Sequence, residues 1–147
     1  MKALIVYDSV HGNTEQLARA IGDAFGNAAV LHVTKVTADD LKAADLVIVG
    51  SPTHGGRPTP PIQGFLNSLP GPVSGMRAAA FDTRMPPKWV RLFGFAADRI
   101  AGALRGKGWT VVKPIEGFFV KGKEGPLLDG ELQRAAFWAR ALSQDTV

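Results

Sequence analysis

Residues 7–15 read YDSVHGNTE, and they separate a short apolar run from a pattern of helical spacing that begins at Thr14. This order predicts a strand, a polar turn and the start of a helix. The first backbone N–H groups of a helix have no partner within it, and its aligned peptide dipoles leave partial positive charge there. Such a turn can bind an anion, a phosphate above all, without any basic side chain.

The residue types of this first loop suit a phosphate. Ser9 and Thr14 supply hydroxyl groups, Gly12 permits close approach or a positive φ, and Asn13 tolerates a sharp turn. An ordinary polar loop that caps a helix is the alternative, because short motifs also arise by chance. The candidate phosphate-binding residues are Ser9, Val10, His11, Gly12, Asn13 and Thr14.

Apolar runs alternate with segments of helical spacing along the whole chain. The predicted strands are residues 3–7, 29–33, 46–50, 78–81 and 109–112, and the residues from 117 to 126 are expected to extend the last of them. They lack period-2 alternation, which indicates strands buried on both faces. We therefore predict an α/β fold with a doubly wound, five-stranded parallel sheet of order 2-1-3-4-5 and helices on both faces. A ligand is then expected where the strand order reverses, at the carboxyl ends of strands one and three.

Length and composition fit a small cofactor-binding domain. The 147 residues suit one domain, residues 1–147, and 46% hydrophobic with 20% charged residues is typical of globular proteins. No apolar stretch approaches the roughly 20 residues that span a bilayer, and no signal pattern opens the chain, so we expect a cytoplasmic protein without membrane insertion. The absence of cysteine excludes thiolate metal sites and cysteine nucleophiles. Redox chemistry would need a bound cofactor.

Residues 9–14, SVHGNT, resemble the phosphate-binding loop of the flavodoxin family, whose usual pattern is Ser/Thr-x-Thr-Gly-x-Thr. His11 stands where the family usually has a threonine, and its imidazole N–H could replace the missing hydroxyl. The resemblance implies a flavodoxin-like fold and noncovalently bound FMN as the cofactor. It extends over the chain in pattern, while only this first loop matches residue by residue.

The second loop, residues 51–61, reads SPTHGGRPTPP and is similar in position to the flavodoxin loop that wraps the flavin. The resemblance implies that a peptide near Gly55 or Gly56 turns its carbonyl toward N5 of the flavin. His54 either stacks on the ring or contacts its pyrimidine side, or it is an exposed loop residue, and these alternatives stay open. The candidate cofactor-binding residues here are Pro52, Thr53, His54, Gly55 and Gly56.

The third loop, residues 81–93, follows the fourth predicted strand. The resemblance implies that Asp82 and Thr83 reach the uracil-like end of the flavin through their backbone, and that Arg84 neutralises charge near N1. Trp89 is the candidate for covering the outer ring face. Alternatively, Trp89 belongs to the apolar side of a helix that begins near residue 88.

Positive charge is concentrated in one part of the chain. The formal net charge is +4, and residues 84–123 carry nine basic and two acidic side chains. Such a field attracts anionic partners and weakens with salt. A solvated basic face is the alternative. We expect redox protein partners, acidic ones included. Because no nucleic-acid-binding motif is present, we expect no nucleic acid among the partners.

Three function classes are consistent with these features. The first is an electron carrier with FMN, the second an FMN-dependent oxidoreductase of the quinone or protoporphyrinogen dehydrogenase type, and the third a scaffold that has lost FMN. We favour the carrier because nothing in the sequence marks a nicotinamide or quinone pocket. No catalytic and no metal-binding residue is assigned.

Overall fold

The structure is a computed structural model that describes residues 1–73, 75–86 and 94–144. The strands in these ranges are β1 (Ala3–Tyr7), β2 (Ala28–His32), β3 (Leu46–Pro52), β4 (Arg77–Arg84), β5 (Thr110–Val111) and β6 (Glu116–Phe119). The helices are α1 (Asn13–Phe25), α2 (Ala38–Lys42), α3 (Pro60–Ser68), α4 (Ala96–Gly106) and α5 (Glu131–Gln144), with a 3-10 turn at Val33–Lys35. Among the described residues, no helix is long and apolar enough to cross a membrane.

The strands pair in parallel in the order β2-β1-β3-β4-β5, which confirms the predicted fold class and strand order. The prediction of five strands is wrong at the last position, where β5 and β6 both pair with β4. β5 pairs with the start of β4, whereas β6 pairs with its last four residues. Pro114 lies between the two segments, and a proline has no N–H to donate to a ladder. The chain that follows β6 therefore emerges at the carboxyl edge of the sheet.

The two faces of the sheet are covered by different helices. Alternate strand residues such as Val47 and Val49 pack on the side of α3 and α4, while Ile5 and Ile48 pack on the side of α1 and α5. All four side chains are fully buried. Because successive residues of a strand point to opposite faces, burial on both sides explains the continuous apolar runs in the sequence.

An aromatic cluster fills the core on the α1 and α5 side. Phe81, Phe118 and Trp138 meet edge to face, with ring centroids 5.9 to 6.1 Å apart. Gly50 pairs with Phe81 across the sheet, and a Cβ atom at Gly50 would lie 2.1 Å from Cζ of that ring. The close approach requires glycine at the carboxyl end of β3, beside the expected site.

An ionic cluster joins β6 to α5. The Glu131 carboxylate accepts the backbone N–H of Phe119 at 2.7 Å and is bound by Arg134, which also pairs with Glu116 at 2.8 Å. Burial alone would raise the pKa of Glu131, but the bonds from Arg134 and Phe119 outweigh it and hold that pKa below its ordinary value. The cluster fixes the chain that leaves the sheet beside β4.

Candidate functional site

The loop after β1 turns sharply at Gly12, just before α1. Gly12 has a φ of 89°, a left-handed conformation that glycine adopts without steric cost. The Ser9 hydroxyl oxygen accepts the backbone N–H of Gly12 at 3.0 Å and that of Glu15 at 3.4 Å. This one oxygen thus accepts two backbone N–H groups at the start of α1, where the first N–H groups have no acceptor within the helix.

Further donors at this helix start have no acceptor. Within the described residues, the backbone N–H groups of Val10, His11, Asn13 and Thr14 form no hydrogen bond. Open N–H groups and the positive end of the helix dipole together favour an anion. The donor set therefore fits a phosphate group, which needs several oxygens satisfied at one place.

Two buried hydroxyl groups lie beneath these donors. Thr14 Oγ1 and Thr83 Oγ1 are 3.1 Å apart, and the two residues are 1% and 5% exposed. The backbone carbonyl of Thr83 also accepts the backbone N–H of Thr53 at 2.9 Å. The start of α1, the end of β4 and the loop after β3 consequently meet at one point.

Asp8 anchors the first loop to its neighbours. Its carboxylate accepts Thr59 Oγ1–H at 2.6 Å and the backbone N–H of Ser9 at 2.9 Å, and it lies 3.0 Å from His32 Nε2. His32 Nδ1 accepts the backbone N–H of Thr34, so the neutral ring carries its hydrogen on Nε2. This Nε2–H donates a hydrogen bond to the Asp8 carboxylate. One carboxylate thereby holds the ends of β1 and β2 and the start of α3 together.

The second loop contains a tight two-residue turn. His54 and Arg57 exchange two backbone hydrogen bonds of 2.8 and 3.0 Å, and Gly55 and Gly56 have φ of 58° and 79°. Two positive φ values define a type I′ turn, which favours glycine at both positions. Arg99 Nε donates to the Gly56 carbonyl at 2.8 Å, whereas the Gly55 carbonyl accepts no hydrogen bond from any described residue. Of these two carbonyls, only that of Gly56 is therefore held by a described side chain.

A buried ion pair lies at the end of β4, where the third loop begins. Asp82 is fully buried and binds Arg84 through two bonds of 2.7 and 2.8 Å, and it accepts the backbone N–H of Ala97 at 2.9 Å. The Arg84 guanidinium lies 3.6 Å from the ring centroid of Phe95. Burial raises the pKa of Asp82, while Arg84 and the Ala97 N–H oppose that rise. The pair joins the end of β4 to the start of α4.

The three loops surround one cleft at the carboxyl edge of the sheet. Its lining residues are Ser9, Val10, His11, Asn13, Thr14, Pro52, Thr53, His54, Thr83, Arg84, Met85, Val120 and Lys123. An adjoining cavity shares five of them and adds Gly55 and Glu124. Most of the residues singled out in the sequence therefore lie together. Gly12, Gly56 and Asp82 shape the loops without lining the cleft, and the Asp82 side chain is directed at Arg84 and Ala97 instead.

Residues 87–93 fall outside the described residues, and they include Trp89 and the helix expected to begin near residue 88. Sequence reasoning also missed Met85, Val120 and Lys123. The signal for Lys123 was its place in a glycine-rich turn after the last strand, because such turns emerge at the same edge of a parallel sheet as the first three loops.

The Flavodoxin family profile matches residues 5–138 of the chain. The chain belongs to the flavodoxin family. A flavodoxin of Aquifex aeolicus is 31% identical over 91 residues, which cover 56% of this chain and 49% of that protein. An uncharacterized protein of Methanocaldococcus jannaschii is 39% identical over 113 residues, 76% of this chain and 71% of that protein.

Solved flavodoxin structures superimpose on the whole chain. A flavodoxin from the domain Archaea aligns with a TM-score of 0.81 and 28% identity over 99% of both chains. Oxidised Flavodoxin 1 from Bacillus cereus aligns with a TM-score of 0.80 over 100% of both chains, and at 19% identity this likeness shows the fold alone. Flavodoxins bind FMN and transfer electrons to redox partners, and the donors at the start of α1 suit the phosphate of that cofactor.

Proposed function

We propose that this flavodoxin carries electrons between redox proteins through noncovalently bound FMN. Its family and fold support an FMN-binding electron carrier. The observation that carries the proposal is the group of backbone N–H donors at the start of α1 that have no acceptor within the described residues. When bound, FMN supplies a ring that accepts and releases electrons. The protein's part is to hold, orient and partly cover that ring.

The phosphate would lie against the first loop, where Ser9 and Thr14 add hydroxyl groups to the open N–H donors. The ring would lie between the second and third loops, with Pro52 to His54 on one side and Thr83 to Met85 on the other, since these segments line the same cleft. The Gly55 carbonyl accepts no hydrogen bond from any described residue and would meet the edge of the ring, whereas Arg99 donates to the carbonyl of Gly56. Contacts of His54 and Trp89 with the flavin stay predictions.

The rim of the cleft fits an acidic redox protein. Val10 and Met85 are 55% and 44% exposed, Lys123 is exposed and lines the same cleft, and Arg57 is exposed in the turn that begins at His54. Apolar residues surrounded by charge are typical of transient interfaces, and complementary charge raises the rate of encounter. We expect the rate of electron transfer to an acidic acceptor to fall as salt is added. The proposal involves no nucleic acid and keeps the cytoplasm as the expected compartment.

Electron transfer assays with the FMN-loaded protein test this function. We expect the protein to pass electrons to an acceptor protein only when a separate reductase is present. During stepwise anaerobic dithionite addition, long-wavelength absorbance should rise and then fall, as it does when a flavin is reduced by single electrons. Turnover of NAD(P)H with a quinone in the absence of a reductase would favour the oxidoreductase instead. Failure to bind FMN would refute the proposed function, and only the conclusion about the fold would stand.

A further inference from the structure

The segment after β6 forms a small hairpin at the edge of the cleft. Val120 and Leu127 form an antiparallel bridge, the backbone N–H of Lys121 donates to Pro126 at 2.8 Å, and that of Gly125 donates to Gly122 at 3.0 Å. We call residues 120–127 the β6 hairpin. Its tip consists of the residues between the two glycines, Lys123 and Glu124.

The β6 hairpin is fixed to the start of α1. Asn13 Nδ2 donates to the Glu124 carbonyl at 3.2 Å, although the two residues are 111 positions apart. Gly125 has a φ of 99°, and a Cβ atom there would lie 2.6 Å from Oδ1 and Nδ2 of Asn13. Only glycine fits so close a contact. The tip therefore lies beside the start of α1.

Lys123 faces the same space as the phosphate-binding donors. It lines the cleft together with Ser9, Asn13 and Thr14, and it also lines the adjoining cavity. Among the described residues that line the cleft, the permanent cations are Lys123 and Arg84, and Arg84 is bound to Asp82. Lys123 forms no hydrogen bond or ion pair with any described residue. Its charge is available to a ligand.

A phosphate monoester carries a charge of about −1.5 to −2 near neutral pH. The N–H and hydroxyl donors of the first loop are neutral, so they satisfy its oxygens without cancelling its charge. We propose that Lys123 is the counter-charge for the FMN phosphate, delivered by the β6 hairpin from outside the first loop. This inference rests on the proposed function. The proposal predicts that part of the affinity for FMN is lost as salt is added. This part requires the phosphate and does not involve the flavin ring.

Lys123→Gln tests the proposal, with Lys121→Gln as the matched control, because Lys121 is exposed in the same hairpin but does not line the cleft. FMN and riboflavin are titrated into each apoprotein at low and high salt, and quenching of flavin fluorescence gives Kd. We expect Lys123→Gln to raise the Kd for FMN about tenfold at low salt, a typical loss for one charge-assisted contact at a partly exposed site. Lys121→Gln should stay within about twofold of the unmodified chain.

Two further readouts separate a contact with phosphate from a structural role. The Kd for riboflavin should be the same in Lys123→Gln as in the unmodified chain, and Lys123→Arg should restore both the affinity for FMN and its salt dependence. A Kd for FMN that shifts equally in the two glutamine variants would overturn the proposal. An equal loss of riboflavin binding would also overturn it. If the unmodified chain bound no FMN, the proposed function itself would fail, which is a distinguishable result.

Discussion

Arg84→Met is expected to destabilise the protein strongly, because it leaves Asp82 buried without its counter-charge. Asp82 is 0% exposed and the Arg84 side chain is 17% exposed. The change removes two bonds of 2.7 and 2.8 Å and leaves, among the described residues, only the N–H of Ala97 as a donor to the carboxylate. Loss of one partner of a buried ion pair costs about 3–5 kcal/mol. For a domain of this size the expected fall in Tm is about 6–20 °C.

The loss of stability in Arg84→Met should also depend on pH. Burial already raises the pKa of Asp82, and loss of Arg84 raises it further. A carboxyl group whose pKa is higher in the folded state stabilises the fold most when it is protonated. That stability is lost as the pH rises from the ordinary range of an aspartate toward the folded-state pKa. The Tm deficit of Arg84→Met should therefore be largest near neutral pH and smaller in acid.

Thermal and urea unfolding of the apoprotein, followed by circular dichroism, measure the effect. Arg19→Met is the matched control, since it breaks the exposed pair with Glu15, whose side chains are 63% and 40% exposed. No measurable change is expected there. Adding Asp82→Asn to Arg84→Met should recover part of the loss, because the unpaired charge is removed. A loss for Arg84→Met below about 1 kcal/mol, or no recovery in the double variant, would refute the reasoning.

Two other predictions concern the frame of the site. Glu131→Gln should cost roughly 1–2 kcal/mol at pH 7. Because the folded state lowers the pKa of Glu131, that difference should disappear as the pH falls into the acid range, and an equal Tm deficit at both pH values would contradict it. Gly50→Ala should cost about 1–3 kcal/mol in urea unfolding through its contact with Phe81. Gly102→Ala is the control, because a Cβ atom at this position on α4 meets open space and should not destabilise the protein. Equal urea midpoints for Gly50→Ala and Gly102→Ala would contradict the expected steric conflict with Phe81.

The sequence predicts the arrangement of this fold well where the signal is local. Strands buried on both faces give unbroken apolar runs, so residues 3–7 match β1. The observed strand order is the doubly wound order that five strands alternating with helices fit. The break in the last strand was not predictable in the same way. β5 has only two residues, too few to show any pattern, and β6 is identified by its pairing with β4.

The candidate site depends on contacts that the sequence does not display. Asp82 and Arg84 are two residues apart and so share a strand face, yet their spacing does not tell whether they bind each other or a ligand. Lys123 reaches the cleft because β6 pairs with the end of β4 and because Asn13 bonds the β6 hairpin across 111 positions. Long-range contacts of this kind arise from tertiary packing, which a single sequence leaves open.

Comparison of FMN with riboflavin tests the central claim most directly. Both ligands carry the same ring, and only FMN offers a phosphate to the open N–H donors at the start of α1. Loss of two or more charge-assisted hydrogen bonds corresponds to at least about a hundredfold in Kd. Fluorescence titration of the unmodified apoprotein should therefore show FMN binding at least that much more tightly than riboflavin. Equal affinity for the two flavins would contradict the phosphate site in the first loop.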